Sequence, residues 1–507
     1  MKKWAEQYGG WFFPVLLFGV MMIYFYQVHP FILFDGDDWR DMGGARNVAL
    51  PKWHDWNPSK VMPESLMPLV GYLGAYVFSP LLGDYLHGIS LAVACVAALA
   101  VTAYTVLLKD VLEHRFGLST WLAAGGAGIF LLMHFLVFKN SVQGNVSLFT
   151  TPDVDCFFHY NLSFLLNASI VLYLISRNIT SRISFRAHPC WSAGLFFALY
   201  LAVFSNILHS IVLICYIAFQ ILHELEAEKA YRPRRVLLYL KAHRFYSGII
   251  LAWLLSLLFE ADGGRARSIG TPNGAPFFVA LGKVFHDFSA IFLSEQKGIL
   301  IIFVALGLFA LPALYLALFR QEKDVAVLTK EYLSLMKMTL FSLFLWASYE
   351  LLICAKANAG YIGRSDVLCG WFFFLFLMMM ESLAYLLRRK PGLALVFPVL
   401  FLVVLCRTTD GRMGYVPSTY ARIPETTCYA VSNDFVQQFR RADEAGVSEF
   451  DLHVPYSANS ANWPFYSALG GHMERQLYSH GVISRHMKVN FVIDEALNEK
   501  YHLDSLR

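Results

Sequence analysis

The sequence predicts an all-α polytopic membrane protein of about 11 transmembrane helices, followed by a small α/β extracytoplasmic C-terminal domain. Composition and the spacing of apolar runs carry this prediction. Of 507 residues, 57% are hydrophobic and 15% charged, whereas an average soluble domain is roughly 25% charged and about 45–50% apolar. The mean hydropathy is +0.49. The apolar residues gather in runs near the ~20 residues that cross a bilayer as helix. A soluble enzyme, a disordered chain and a coiled coil are excluded. So is an outer-membrane barrel, whose alternating strands give no long apolar runs.

Taken in order, the runs at 10–33, 84–108, 118–138, 157–176, 191–204, 209–223, 246–260, 298–319, 332–354, 366–386 and 391–406 read as spans. The first is not read as a cleaved signal peptide, because it lacks a small-residue cleavage site and enters an aromatic, acidic stretch. The 191–223 stretch is split in two by charge. Arg177, Arg182 and Arg186 precede it, and Arg232, Arg234, Arg235 and Lys241 follow it. Basic loops stay in the cytoplasm, so the chain must cross twice, turning near Ser205 and Asn206. Lys2, Lys3, Lys109, Arg115, Arg320, Lys323, Arg388, Arg389 and Lys390 then also fall inside. The N-terminus is expected in the cytoplasm and the C-terminus outside.

Residues 1–406 therefore form the bundle, with outer segments at 34–83, 139–156, 261–297 and 355–365, and 407–507 form the outer domain. In that tail, Asn433 is placed to cap a helix over 434–445. Phe450–Pro455 and Val489–Ile493 read as strands, and Trp463–His480 as a helix. The eight cysteines show no CxxC or zinc spacing, and Cys406 with Cys428 is the one pair worth testing for a bridge. Charge is +4 and scattered, with no basic tract for nucleic acid. Membrane lipids are the expected surroundings.

The first outer loop opens Phe34-Asp-Gly-Asp-Asp-Trp39-Arg-Asp41. Asp35, Asp37 and Asp38 crowd the end of a membrane helix, where like charges raise one pKa and suit general acid or base work. Two carboxylates there could also hold a divalent cation. Trp39, Trp53, His54, Trp56 and Glu64 add aromatic faces and an acid, the chemistry that receives sugar rings. Met67–Gly83 is apolar but interrupted by Gly and Pro, and reads as an interfacial or re-entrant helix. Asp153, Asp155, His159 and Tyr160 form a second polar group, suited to acceptor contacts or a metal.

This arrangement resembles the GT-C superfamily of integral-membrane glycosyltransferases: a short N-terminal tail, one helix, a large outer loop opening on acids, then a bundle of about a dozen spans. The resemblance covers nearly the whole chain and implies that the catalytic carboxylate is Asp37 or Asp38, with Asp35 behind them. The tail, Val454-Pro-Tyr-Ser-Ala-Asn-Ser-Ala-Asn-Trp-Pro464 and Leu477-Tyr-Ser-His-Gly-Val-Ile483, is similar to that of bacterial serotype-converting O-antigen glucosyltransferases. The resemblance implies a polyprenyl-phosphate sugar donor, a polysaccharide or lipid-linked glycan acceptor, and a place in the bacterial cytoplasmic membrane with a periplasmic C-terminus. Cations at outer helix ends would hold the lipid phosphate. Arg364, in Gly360-Tyr-Ile-Gly-Arg-Ser365, leads; Arg265, Arg267 and Lys356 follow.

Two other readings remain open. An O-antigen polymerase or ligase would use the Arg265/Arg267 pair on a polyprenyl-diphosphate-linked glycan. A transporter would need acids in mid-span and paired broken helices, and the sequence offers little of either; Glu350 and Glu381 lie in or near spans, and Glu381 is close enough to pair with Arg388 or Arg389.

Overall fold

The computed structural model describes residues 2–44, 49–141, 144–149, 153–179, 189–229, 232–268, 276–293, 297–320, 325–389, 392, 424–456 and 469–503. Among them, nine helices are long and apolar enough to cross a membrane. The chain is an all-α polytopic membrane protein. In order, α1 (Lys2–Ile23) ends in a π-helical turn, Tyr24–Val28. The short α2 (Gly36–Met42) follows, then α3 (Val61–Leu82), α4 (Tyr85–Phe116) and α5 (Thr120–Leu136). A hairpin of β1 (Phe138–Ser141) and β2 (Gly144–Val146) leads to α6 (Val154–Ser176).

Next come α7 (Pro189–Val203), α8 (Ile207–Ala227), α9 (Pro233–Ala242) and α10 (Arg244–Ala261). The short α11 (Gly264–Ser268) and α12 (Phe277–Leu293) precede α13 (Lys297–Phe319), α14 (Ala326–Ala357) and α15 (Cys369–Arg389). Helix α15 is almost wholly buried, as is α6, and most residues of both are apolar, as in a helix surrounded by others. Helix α4 packs on α1, α5 and α6, and α15 on α13 and α14.

Ten of the expected spans fall on helices, eight on long apolar ones and two on the shorter α5 and α7, and the ninth long apolar helix is α3, expected as interfacial or re-entrant rather than as a span; the eleventh expected span, 391–406, lies outside the described residues apart from Gly392. The break in 191–223 falls at Phe204–Asn206, where the Asn206 side chain accepts the Leu208 N–H at 3.0 Å and caps α8. Helix α4 runs eight residues past its expected end. Lys109 stays helical there because its ammonium reaches Glu113 one turn on, at 2.9 Å. The apolar stretch expected from Met67 begins six residues earlier, at Val61, and continues through a π-helical turn, Gly74–Phe78. The segments 139–156 and 261–297, expected as loops, contain the β1–β2 hairpin and α12. Glu381 pairs with neither Arg388 nor Arg389. It accepts the Thr339 hydroxyl at 3.1 Å, because it lies inside the bundle facing α14.

The tail contributes α16 (Glu425–Glu444), β3 (Glu449–Val454), α17 (Leu469–Ser479), β4 (Lys488–Ile493) and the short α18 (Ala496–Lys500). Strands β3 and β4 pair in parallel. Helix α16 starts well before 434: its buried stripe begins at Cys428 and runs through Val431, Phe435, Phe439 and Ala442, so Asn433 lies inside the helix rather than at its cap. Cys428 is a buried free thiol; Cys406 lies outside the described residues, as does most of the Val454–Pro464 motif.

Helix α17 docks on α2. A Cβ added to Gly43 would lie 2.7 Å from the Gln476 Cα, so only glycine allows this approach. Ser479 Oγ donates to the Gly43 carbonyl at 3.2 Å, and Tyr76 donates to the Ser479 carbonyl at 2.8 Å.

Candidate active site

The acidic group is built on the first turn of α2. Asp35 is its N-cap, accepting the Asp37 N–H at 3.0 Å in a capping box closed by Asp38. Asp38 is completely buried. Its Oδ2 accepts the Phe34 and Asp35 N–H groups at 3.3 and 3.2 Å, and its Oδ1 accepts the Asp155 N–H at 2.8 Å. One turn on, Asp41 lies on the same face of α2 and receives Arg40 in a fork at 2.8 and 3.0 Å.

Opposite stands the start of α6. Asp153 caps it, accepting the Cys156 N–H at 2.6 Å. Burial, then Asp153 and Asp35, push the Asp38 carboxyl well above the usual carboxylate range. Burial, then Asp35 and Asp155, push Asp153 up likewise. Four residues separate Asp155 from His159, placing them on one helix face, with His159 Nε2 3.3 Å from Asp155 Oδ1. Among the described residues neither His159 nitrogen nor Asp155 Oδ1 makes a hydrogen bond. Asp41, Asp155 and His159 each offer an atom within 4.8 Å of the others and could hold a cation, although Arg40 already occupies Asp41.

A cationic group adjoins the acids through α6. Arg265 donates to the Tyr361 and Tyr160 hydroxyls at 3.0 and 3.3 Å. Arg364 lies over the Tyr160 ring at 4.4 Å and grips Asp366 through two bonds of 2.9 and 2.5 Å. Lys60, just before α3, is buried and makes no ion pair among the described residues. The acids flanking it are engaged: Glu64 accepts from Asn57 at 2.8 Å, and Glu260 from the Ser59 hydroxyl at 2.5 Å. Burial, then Arg265, pull its ammonium down to about 8. His209, buried with neither ring nitrogen hydrogen-bonded among the described residues, meets the Tyr160 ring edge-on.

Of the residues expected from sequence, the structure thus groups Asp35, Asp38, Asp153, His159, Arg265 and Arg364. Others stand apart. Asp37 is half-exposed and pairs with Arg40 at 2.7 Å. Arg267 turns to Asp262 and His54 on the surface. Lys356 is exposed at the end of α14. Trp39 is buried in the core, while Trp53 and Trp56 are exposed, Trp53 edge-on to Phe259 at 4.2 Å.

Lys60, Asp41, Tyr361 and Asp366 were not singled out from sequence. Asp41 had a legible signal, its three-residue spacing from Asp38, and Asp366 had another, the Arg-x-Asp fork with Arg364. Lys60 had only its place before an apolar run. No family model matches the chain, and no curated protein and no solved structure matches it significantly.

Proposed function

We propose that the protein is an inverting glycosyltransferase. It moves a sugar, glucose on the resemblance, from a polyprenyl phosphate to a cell-surface polysaccharide such as O-antigen, at the outer face of the bacterial cytoplasmic membrane. The observation that supports this reading is the meeting of two groups on the start of α6: the carboxylates Asp38 and Asp155, joined through the Asp155 N–H, and the cations Arg265 and Arg364, joined through Tyr160.

In this reading an acceptor hydroxyl gives its proton to a carboxylate as its oxygen attacks the sugar C1. The bond from C1 to the phosphate oxygen breaks, and the lipid phosphate leaves with the electron pair. Asp155 is the base in this reading: its Oδ1 makes no hydrogen bond among the described residues and faces the His159 Nε2 at 3.3 Å, and Asp38 holds it in place through the backbone. Arg265 and Lys60, neither paired with an acid among the described residues, stabilise the charge gathering on the phosphate. The Arg265/Arg267 pair behind the polymerase or ligase reading divides between two places, and that weakens it.

The test is transfer from labelled polyprenyl-phosphate glucose to polysaccharide by the purified chain in lipid nanodiscs. Transfer that Asp155→Asn abolishes is the expected result. Failure of the wild-type chain both to transfer the sugar and to bind polyprenyl phosphate would overturn the reading.

A further inference from the structure

A second polar site lies at the other end of the bundle. Helix α8 starts beside the acidic group, where Asn206 donates to the His159 carbonyl at 2.8 Å, and so ends far from it. Helix α14 runs the opposite way, finishing next to Tyr361. Between the far ends of these two helices is a cavity of about 360 Å³, lined among others by Phe219, His223, Thr329, Lys330, Ser334 and Lys337.

Lys330, Ser334 and Lys337 recur at helical spacing, so both ammonium groups rise from one face of α14, about 10 Å apart along the axis. The His223 ring stacks on Phe219 at 5.7 Å. Among the described residues no acid lines the cavity. Glu331, next to Lys330 in the chain, is held by Arg115, and Glu224, next to His223, accepts the Tyr239 hydroxyl at 2.6 Å. Lys330, Lys337 and His223 are exposed and make no ion pair or hydrogen bond among the described residues. Beyond Lys337, toward the middle of α14, Leu340 and Phe344 are 51% and 74% exposed on the same side, three and seven residues on. The surface thus passes from two positive charges and a hydroxyl to an apolar stripe. That is the complement of a lipid: an anionic head and hydrocarbon tails.

We infer that this groove between α8 and α14 binds an anionic phospholipid, its phosphate between Lys330 and Lys337 and its acyl chains along Leu340 and Phe344. Basic pockets between membrane helices on the cytoplasmic side bind such headgroups, each lysine near the surface adding to the attraction. Lone lysines reaching for the interface would instead show no preference among lipid heads at a defined stoichiometry.

The experiment is native mass spectrometry of the full chain released from detergent with phosphatidylglycerol or phosphatidylcholine. Wild type should retain one phosphatidylglycerol at least about tenfold more than phosphatidylcholine. Lys330→Gln/Lys337→Gln should lose that preference, and Lys330→Arg/Lys337→Arg should keep it. Equal retention of both lipids by wild type, or an unchanged preference in the glutamine variant, would overturn the assignment. Complete displacement by millimolar inorganic phosphate would also overturn it, identifying a free-anion site. None of these outcomes depends on glycosyl transfer, so the two proposals stand or fall separately.

Discussion

The carboxylate of Asp38 accepts the backbone N–H of Asp155 at 2.8 Å, joining residues 117 apart in the chain. This one bond ties the helix that opens the first loop to the helix that carries Asp155, His159 and Tyr160. It also takes up the lone pair that Asp38 would offer most directly to a substrate proton. Asp38 is a buried acceptor of three N–H groups, and its neighbour Asp37 is a half-exposed partner of Arg40.

The two adjacent acids should therefore behave differently. Asp38→Asn presents an NH₂ group to backbone donors, so it should lower stability by roughly 1–3 kcal/mol. Transfer should fall by about two or more orders of magnitude as Asp155 loses its place. Asp37→Asn removes an exposed ion pair worth about 0–1 kcal/mol and should leave transfer within about twofold. Thermal melts beside transfer rates check this; equal loss in both variants would refute the distinction.

The two arginines should also separate. Arg364→Ala strands Asp366, whose side chain is 3% exposed, and breaking a buried pair costs about 3–5 kcal/mol. Restoring neutrality with Arg364→Ala/Asp366→Asn should recover much of the melting temperature. Arg265 is held by phenol hydroxyls, so Arg265→Ala should change stability little and weaken polyprenyl-phosphate binding at least about tenfold. A binding isotherm unchanged by Arg265→Ala would remove this residue from the phosphate site.

Lys60 supplies a pH signature. Its ammonium, pulled down to about 8 by burial and then by Arg265, is charged below that pH and neutral above it. Binding of a phosphate anion should weaken as pH rises through about 8, while the Lys60→Arg variant stays flat. Stability moves the other way: the unfolded chain holds the proton up to about 10.5, so folding gains between about 8 and 10.5. A wild-type isotherm that is flat from pH 7 to 9 would exclude Lys60 from the anion site.

His480 gives a second, acid-side signature. Burial lowers its pKa from 6.5 to about 4, and its Nδ1 meets the Tyr85 hydroxyl at 2.7 Å. The unfolded chain binds the proton first, so the stability from neutral His480 is present in full above 6.5 and is lost as pH falls toward about 4. The total is about 3 kcal/mol at 1.36 kcal/mol per pKa unit. Between pH 7 and 5 the wild-type melting temperature should drop more than that of His480→Gln. Parallel curves would show that undocking of α17 from α2 is not linked to this proton.

Hydropathy is a property of consecutive residues, so the helices of the bundle were legible in the sequence, as was the break before Asn206, whose side chain caps α8 locally. The acids of the first loop were legible as a cluster for the same reason. What the sequence could not rank was Asp35, Asp37 and Asp38: burial sets Asp37 apart from the other two, the bond from the Asp155 N–H sets Asp38 apart from Asp35, and both depend on elements arriving from elsewhere in the chain. Lys60 looked like any loop lysine. Only the fold encloses it, beside Glu64 and Glu260 already satisfied by Asn57 and Ser59, and that leaves its charge free for an anion. The tail was legible as alternating helix and strand, while its docking uses a close approach at Gly43 and hydrogen bonds from Ser479, Tyr76 and Tyr85 that no local pattern encodes. Local hydrogen bonding and hydrophobic period fix each element; the pairing of distant charges is decided by which elements share a face, and in a low-dielectric interior that choice sets which charges survive.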